Sequence, residues 1–384
     1  MKSITLVIST LITFIVLFSL ATSCVKNTPT IPTQLSDTKT NCDSIHIRLD
    51  GNNTFYENNP TYQNIENNAI LWQFATYSEA NIDSAVFHSG TVILEVSPTL
   101  FSFLLIRDGK ILSEKYYNGS NPSHSNNVHS ASKCIISALI GIAIDKGYIN
   151  GINQKILEFF PDYIPNEALK EDITIEHLLN MTSGFTWEED YTEYFIENEE
   201  DWVKAILDLP MDSAPGTVFN YSTGNIHLLS AILQKATGIS NCDFIYSNLM
   251  SYLGVVIEHW GRDPQGYFSG GYNFYITPRE LAKFGLLYLN NGLSNSRQII
   301  PQNWVNTSLS QQINVDSKYD YSYCWWATNI LGHDVYKAWG YGGQYICLIP
   351  NLDIVIVSTA NTSGVYNQLD IDNFIEQYVI PAIQ

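Results

Sequence analysis

A serine and a lysine three positions apart could together perform nucleophilic chemistry. Ser130 and Lys133 stand in His129-Ser130-Ala131-Ser132-Lys133, at the start of a long apolar run. On a helix, residues i and i+3 project from one face, so the Ser130 hydroxyl and the Lys133 amine can meet. A serine hydroxyl is a weak nucleophile until a base takes its proton, and burial can lower the pKa of a lysine enough to help. An N-cap serine followed by a surface lysine is the alternative, but a lysine leading into an apolar run is costly unless it is used.

Two later segments supply groups that an acyl-transfer site needs. Tyr221 lies in a turn-like segment just before a helix, where its phenol could exchange protons with Ser130 and with a leaving group. The glycines of Trp339-Gly340-Tyr341-Gly342-Gly343-Gln344 leave a strand edge bare, so that a substrate carbonyl can approach backbone N–H groups. Such donors are worth about 3 kcal/mol each towards an oxyanion. The alternatives are an aromatic packed at a helix start and a simple bulge.

These three segments, in this order and spacing, resemble the serine β-lactamase and penicillin-binding-protein superfamily, and most closely its class C-like branch of esterases, DD-peptidases and nylon-oligomer hydrolases. The resemblance runs from about Trp72 to the C-terminus and includes two supporting stretches, Ile173–Gly184 and Thr277–Gly285. It implies that Ser130 forms an acyl-enzyme while Lys133 and Tyr221 share the general-base work. It also implies an oxyanion hole made by the backbone N–H groups of Ser130 and Gln344.

The sequence departs from the pattern of this branch in two motifs. The frequent Tyr-x-Asn is Tyr221-Ser222-Thr223 here, and Asn225 stands two positions further on. The Lys-Thr-Gly or His-Thr-Gly of relatives is Tyr341-Gly342-Gly343, so the cation that would hold a carboxylate is missing. Both departures favour a neutral ester or amide over a penicillin or a peptide. The candidate substrate-binding residues are Tyr341, Gly342, Gly343, Trp339 and Asn225.

Aromatic residues are frequent near the third motif, which predicts an apolar acyl or alcohol moiety in the substrate. They are Tyr323, Trp325, Trp326 and Trp339. The role of His129 stays open between packing and substrate contact, and His177 is expected to pack or cap within its helix. The acidic stretch 197–201 is predicted to be an exposed loop, and the other carboxylates are expected to be solvated surface. No histidine spacing indicates a metal, so we expect neither a metal nor an organic cofactor.

Three functions from different classes remain open at this point. The first is a serine hydrolase acting on a small ester or amide. The second is a penicillin-recognising, DD-peptidase-like or β-lactamase-like protein with slow deacylation. The third is an inert envelope protein that kept the fold. A formal net charge of −19 and a pI of about 4.6 argue against nucleic acid as a partner.

The N-terminus has the features of an exported lipoprotein. Lys2 precedes an apolar run from Ile4 to Leu20, and Leu20-Ala21-Thr22-Ser23-Cys24 resembles a bacterial lipobox. We therefore expect a signal peptide over 1–23, a lipid anchor at Cys24 that ties the protein to the cell-envelope membrane, and a tether over 24–68. Plain secretion, to the periplasm or beyond, and an uncleaved membrane anchor are the alternatives.

The remaining chain, 69–384, is predicted to be one α+β domain, with an antiparallel sheet flanked by helices and a mainly helical insertion. Two hairpins, around Asp108-Gly109 and Pro350–Asp353, are expected to share the sheet. The sheet part is placed at about 69–128 and 320–384, and the helical part at about 129–319. Helices are predicted over 131–146, 175–181, 202–207, 226–237, 278–290 and 369–380. Cys134, Cys324 and Cys347 are expected to be buried thiols, and the sequence cannot pair any cysteines.

Overall fold

The computed structural model describes Cys42 and residues 72–310, 313–362 and 368–384. The predicted signal peptide, Cys24 and all of the predicted tether except Cys42 lie outside these residues. No helix within the described ranges is both long enough and apolar enough to span a bilayer.

The described residues form fourteen strands in three sheets. They are β1 (Gln73–Phe74), β2 (Leu100–Arg107), β3 (Lys110–Tyr116), β4 (Asn126–Asn127), β5 (His259–Trp260), β6 (Phe274–Ile276), β7 (Leu293–Ser294), β8 (Arg297–Gln298), β9 (Ile313–Asn314), β10 (Asp320–Ser322), β11 (Trp325–Ile330), β12 (His333–Gly340), β13 (Gln344–Ile349) and β14 (Ile354–Ala360). Nine of them make the large sheet, in the order β1-β3-β2-β14-β13-β12-β11-β10-β9, while β4, β6 and β5 make a small sheet and β7 and β8 a hairpin.

The two ends of the domain meet in the middle of the large sheet. Strand β14 pairs antiparallel with β2, so that Val357 lies opposite Leu104. The two predicted hairpins therefore share one sheet, as expected. Asp108 and Gly109 both have positive φ in the first hairpin, and Asp353 has positive φ at the end of the second turn. Strand β1 joins the sheet in parallel, beside β3, and the other described strands of this sheet pair antiparallel.

The central strands are covered on both faces, which explains their continuous apolar runs. Alternate residues of β14 point to opposite sides: Val355 and Val357 join the core beneath the helical part, and Ile354 and Ile356 join the core on the other face. The second core is closed by the helix that starts at Ser84 and by the C-terminal helical segment. The molecule thus has α+β architecture with a large antiparallel sheet, as predicted.

The helices are α1 (Ser84–Val96), α2 (Ser132–Asp145), α3 (Ile175–Leu179), α4 (Glu189–Glu197), α5 (Trp202–Asp208), α6 (Thr223–Thr237), α7 (Asn241–Ile245), α8 (Ser251–Leu253), α9 (Pro278–Leu289), α10 (Gln302–Ser308) and α11 (Ile371–Phe374). Single turns of 3₁₀-helix occur at His129–Ala131, Ile156–Phe159, Ala168–Asp172, Pro350–Leu352 and Ile380–Ala382, and π-helical turns occur at Tyr246–Met250 and Ile375–Val379. Every predicted helix is present, with ends shifted by a few residues.

Two helices that matter for the architecture were not predicted. Helix α1 is rich in β-branched residues, which have lower helix propensity, yet it forms because the Asp83 carboxylate caps its N-terminus and because Phe87 and Leu94 pack on the sheet. Helix α4 is strongly acidic and begins at Glu189. Its position decides the electrostatics of the site described below.

Helix α2 is the centre of the helical part. All of its residues from Ser132 to Ala143 are buried. Gly141 allows the indole of Trp304 to lie against the helix, since an added Cβ would fall 2.4 Å from the ring. Because α2 is held on every side, the residues at its N-terminus have a fixed position relative to the sheet.

A disulfide joins Cys42 to Cys242 at the start of α7. The pairing was not accessible from the sequence, because cysteines so far apart in the chain are brought together only by the fold. Cys134, Cys324 and Cys347 are free and buried, as predicted.

Candidate active site

Ser130 lies in a tight turn between the small sheet and α2. The 3₁₀ turn His129–Ala131 leads directly into the helix, and the backbone N–H of His129 donates to Asn127 Oδ1 at 3.0 Å. His129 has a φ of 46°, an unfavourable region for a residue with a Cβ, so the residue preceding the serine is held in a strained conformation. Strand β12 packs closely against this turn at Gly340, where an added Cβ would lie 2.1 Å from the Val128 carbonyl oxygen.

The predicted meeting of Ser130 and Lys133 is present. Lys133 Nζ donates to Ser130 Oγ at 2.6 Å, and the lysine side chain is 1 % exposed. The same ammonium donates to Thr223 Oγ1 at 2.8 Å and lies 3.8 Å from Glu189 Oε1. The lysine is therefore fully enclosed by polar partners.

Tyr221 lies beside this pair. Its ring centroid is 4.8 Å from Lys133 Nζ, and the phenol interacts with both Ser130 and Lys133. The ring packs edge-on against Tyr321, with centroids 6.3 Å apart, and lies 5.7 Å from the ring of Trp326. Ser222, the next residue, caps helix α6 by accepting from the Asn225 N–H, which fixes the tyrosine at the helix entrance.

Both proton-transfer groups prefer their protonated forms. Burial raises the pKa of Tyr221. Burial opposes the charge on Lys133, but its interactions with the Tyr221 phenol and with the Glu189 and Glu193 carboxyl groups offset that effect and leave the pKa of Lys133 above its ordinary value. The expectation that the apolar helix would lower the pKa of Lys133 is therefore wrong, because the helix supplies only one side of its environment.

The site opens into a cleft of about 740 Å³. Its lining is His129, Ser130, Glu189, Asp190, Glu193, Tyr194, Glu197, Tyr221, Gly271, Tyr272, Trp326, Trp339, Tyr341, Gly342 and Gln368. Of the predicted substrate-binding residues, Trp339, Tyr341 and Gly342 line the cleft. Tyr341 is half exposed, and its ring lies 5.9 Å from that of His129.

Gln344 starts strand β13, opposite Gly340. Its buried side chain donates to the Ala360 carbonyl at 2.7 Å and accepts from the Ala360 N–H at 3.1 Å. These bonds fix the first residue of the strand in register, close to the turn that carries Ser130. The oxyanion-hole role of its backbone N–H stays a prediction.

Several predicted residues do not reach the cleft. Asn225 is fully buried behind Ser222, with its amide 3.9 Å from Met181 Sδ, so it does not replace the motif asparagine. Tyr323 and Trp325 belong to the core: Tyr323 packs on Trp304, and Trp325 packs between Phe284 and Tyr288. Gly343 has a φ of 102° and shapes the turn without lining the cleft.

The acidic helix α4 is the main feature that sequence reasoning missed. Glu189, Glu193 and Glu197 follow one another at intervals of four residues, a spacing that puts them on one helix face, and all three line the cleft. The expectation that the carboxylates are solvated surface is wrong for Glu189 and Glu193. Burial first, and the neighbouring Glu189 second, raise the pKa of Glu193 to about 7. Of the predicted exposed loop 197–201, residues 197–200 are exposed, but Glu197 belongs to the end of α4 and Asp201 caps α5.

Gly271 and Thr223 were also missed. An added Cβ on Gly271 would lie 2.9 Å from Thr223 Cγ2 and 3.0 Å from Lys133 Nζ, so only glycine leaves room for the lysine here. No sequence signal marks this glycine, because its neighbours come from distant parts of the chain.

The histidines near the site act as neutral groups. Burial and the adjacent Lys133 charge lower the pKa of His129 to about 4. His177 completes a capping box with Thr174 in α3, as expected. Within the described ranges, no group of three or more His, Cys, Asp or Glu side chains is placed to hold a metal ion.

Known proteins resemble this chain in sequence and in fold. A family described as Beta-lactamase matches residues 101–376. A 6-aminohexanoate-dimer hydrolase of Paenarthrobacter ureafaciens is 24 % identical over 292 residues, covering 68 % of this chain and 72 % of the relative.

Solved structures share the fold. One is a hydrolase with promiscuous acyltransferase activity, EstCE1, with a TM-score of 0.63 and 13 % identity over 80 % of this chain and 98 % of that one. Another is a penicillin-binding-protein homologue from Caulobacter crescentus, with a TM-score of 0.61 and 14 % identity over 79 % of this chain and 99 % of that one.

Proposed function

This chain belongs to the beta-lactamase family, and from that membership we propose that it is a serine hydrolase that cleaves a neutral ester or amide through an acyl-Ser130 intermediate. The observation that carries the proposal is the hydrogen bond of 2.6 Å between Lys133 Nζ and Ser130 Oγ, a residue that lines the cleft. A lysine that is 1 % exposed and bonded to a cleft-lining serine supports proton transfer between them.

Acylation begins when Ser130 Oγ attacks the substrate carbonyl carbon. The Lys133–Tyr221 pair accepts the hydroxyl proton in the form that has already lost one proton to solvent, and the two groups titrate together because each contacts the other and both contact Ser130. The tetrahedral intermediate collapses as the pair returns a proton to the leaving alcohol or amine. Water then repeats the sequence on the acyl-Ser130 ester and releases the acid.

The oxyanion of the intermediate needs donors that are fixed before the reaction starts. The backbone N–H groups of Ser130 and Gln344 are the proposed donors. The packing of Gly340 on the serine turn and the side-chain bonds of Gln344 support this assignment, because they hold the two backbones together.

The charge of the cleft supports an uncharged or cationic substrate. Four carboxylates line it, from Glu189, Asp190, Glu193 and Glu197, and the lining residue His129 is neutral because its pKa is about 4. An anionic penicillin or a peptide C-terminus would be repelled, and Tyr341 offers no cation to hold it. Trp326 and Trp339 provide an apolar wall for the rest of the substrate. The relative's name, a hydrolase of the 6-aminohexanoate dimer, fits an amide substrate.

Export of the protein and a lipid anchor at Cys24 belong to the same proposal. The Cys42–Cys242 disulfide supports an oxidising compartment. Membrane fractionation with mass analysis of the N-terminal peptide tests the anchor: a diacylglycerol on Cys24 is expected, and Cys24→Ala should release the protein from the membrane. An unmodified Cys24 peptide from the membrane fraction would contradict it.

The enzymatic proposal is tested by intact-mass analysis after treatment with a fluorophosphonate, together with hydrolysis of short p-nitrophenyl esters. Wild-type protein should gain one probe mass and turn over the ester, and Ser130→Ala should do neither. An adduct that survives the Ser130 change would overturn the assignment. A penicillin adduct that persists for hours, without ester turnover, would instead support the penicillin-recognising alternative.

A further inference from the structure

Thr223 forms a bridge between the proposed catalytic lysine and a carboxylate of helix α4. Its hydroxyl accepts from Lys133 Nζ at 2.8 Å and donates to Glu189 Oε1. The lysine and the carboxylate are 3.8 Å apart, so their attraction is direct as well as mediated. Ser130, Lys133, Thr223 and Glu189 therefore form one continuous chain of hydrogen bonds.

The Glu189 carboxylate is held in place by three donors from two residues, Thr223 and Trp187. Its second oxygen accepts from the Thr223 backbone N–H at 2.9 Å and from the Trp187 indole at 2.5 Å. Gly224 leaves room for the indole of Trp187, since an added Cβ would lie 2.5 Å from the ring. These donors fix the position of the Glu189 carboxylate, and the N-terminus of α6 stabilises its negative charge.

Within the described ranges, Glu189 is the carboxylate that lies within ion-pair distance of Lys133. The other groups that influence the titration of Lys133, or are influenced by its charge, are Tyr221, Glu193, His129, Cys134 and Cys324. The thiols and the Tyr221 phenol are buried and have raised pKa values, and His129 is neutral, so the negative charge beside the lysine comes chiefly from helix α4.

We propose that Glu189 is a positioning residue for acylation of Ser130: acting through the Thr223 hydroxyl, it holds Lys133 Nζ against Ser130 Oγ and balances the lysine charge. This inference rests on the proposed hydrolase function. Glu189 itself takes no proton and touches no reacting atom. Thr223, where relatives often carry the motif asparagine, thereby ties the lysine to α4.

The test compares pH profiles of kcat/KM for p-nitrophenyl ester hydrolysis in four variants. Glu189→Gln removes the charge but keeps the shape, and Thr223→Val removes the bridging hydroxyl. Thr223→Ser retains the hydroxyl, and Glu188→Gln removes an exposed charge from the preceding residue as a matched control. Loss of the Glu189 charge destabilises the ammonium form of Lys133. The rising limb of the kcat/KM profile, where this group loses its proton, should therefore move to lower pH by about one unit.

The expected result has a second component. In Glu189→Gln and Thr223→Val, kcat should fall about tenfold while KM changes little, since the bridge orders the proton-transfer group rather than the substrate. Thr223→Ser, which keeps the bridging hydroxyl, should lose less activity than Thr223→Val, and Glu188→Gln should follow the wild type. A fall in activity with no movement of the limb, or an equal effect of Glu188→Gln, would overturn the proposal and leave Glu189 a purely structural residue.

A readout without turnover separates this inference from the proposed function. The ¹³Cε resonance of Lys133, assigned through Lys133→Arg, can be titrated in the wild type and in Glu189→Gln. A lower pKa for Lys133 in the variant supports the coupling even if no ester is hydrolysed. An unchanged pKa overturns it, whatever the fluorophosphonate experiment shows for Ser130.

Discussion

Gly271 lies against Lys133 so closely that a Cβ at this position would be 3.0 Å from the lysine Nζ. The glycine is buried and has no positive φ that would forbid another residue, so the constraint is the space and not the backbone. The proposed proton-transfer group is therefore positioned by contact with a residue far from it in the sequence.

Gly271→Ala tests this positioning. The added methyl must displace the Lys133 amine or the Thr223 side chain, and a displacement of about 1 Å at a catalytic group can cost about 100-fold in rate. We expect kcat/KM for ester hydrolysis to fall by that order, while far-UV circular dichroism stays as in the wild type. Wild-type activity in a folded Gly271→Ala protein would show that the amine tolerates displacement.

Tyr221→Phe tests the second member of the proton-transfer pair. The phenyl ring keeps the packing on Trp326 and Tyr321, but the hydroxyl that interacts with Ser130 is lost. General acid–base catalysis is worth about 10² to 10⁴, and we expect kcat to fall within that range. Tyr321→Phe is a matched control, because it removes a buried hydroxyl from the neighbouring ring and should leave kcat unchanged. Equal losses in the two variants would point to packing instead of proton transfer.

Glu193→Gln should stabilise the protein in a pH-dependent way. The pKa of Glu193 is raised from 4.5 to about 7, so the folded state binds the proton more tightly than the unfolded state. Stability is therefore lost as pH rises from about 4.5 to about 7, and the loss is complete above that range. The variant should be more stable than the wild type at pH 8 by about 1 kcal/mol, after allowance for the partial exposure of the side chain, and equally stable at pH 4.

Urea unfolding at both pH values measures this difference. Glu199→Gln, at an exposed position beyond the end of α4, provides the control and should show no pH-dependent change. A stabilisation that is equal at pH 4 and pH 8 would contradict the electrostatic explanation.

Removal of the Cys42–Cys242 disulfide should destabilise the domain. The bond links residues 200 positions apart, so it restricts the unfolded chain strongly, and its loss is expected to cost about 2–4 kcal/mol. The double variant Cys42→Ser and Cys242→Ser should have a lower urea midpoint, and reductant should lower the wild type to the same value. If reductant lowered the midpoint of the double variant as well, the effect would lie elsewhere in the protein.

The sequence by itself determined the features that depend on neighbours along the chain. The three-residue spacing of Ser130 and Lys133 is enough to bring them together, because a single helical turn sets the geometry. The same holds for the Asp108-Gly109 hairpin, for the helix caps and for the order of motifs that indicated the family and the α+β fold. The spacing, the hairpin and the caps are local signals that a backbone rule interprets, and the order of the motifs can be read along the chain without knowledge of the packing.

Only the tertiary structure decided the electrostatics of the site and which residues line it or contact the lysine. The four-residue spacing of Glu189, Glu193 and Glu197 was visible, but nothing along the chain shows that their helix covers the cleft and raises the pKa of Lys133. Asn225 and Gly271 show the same limit: one is turned into the core, and the other lies against the lysine. Charge and steric exclusion act through space, so the packing of distant segments determines them.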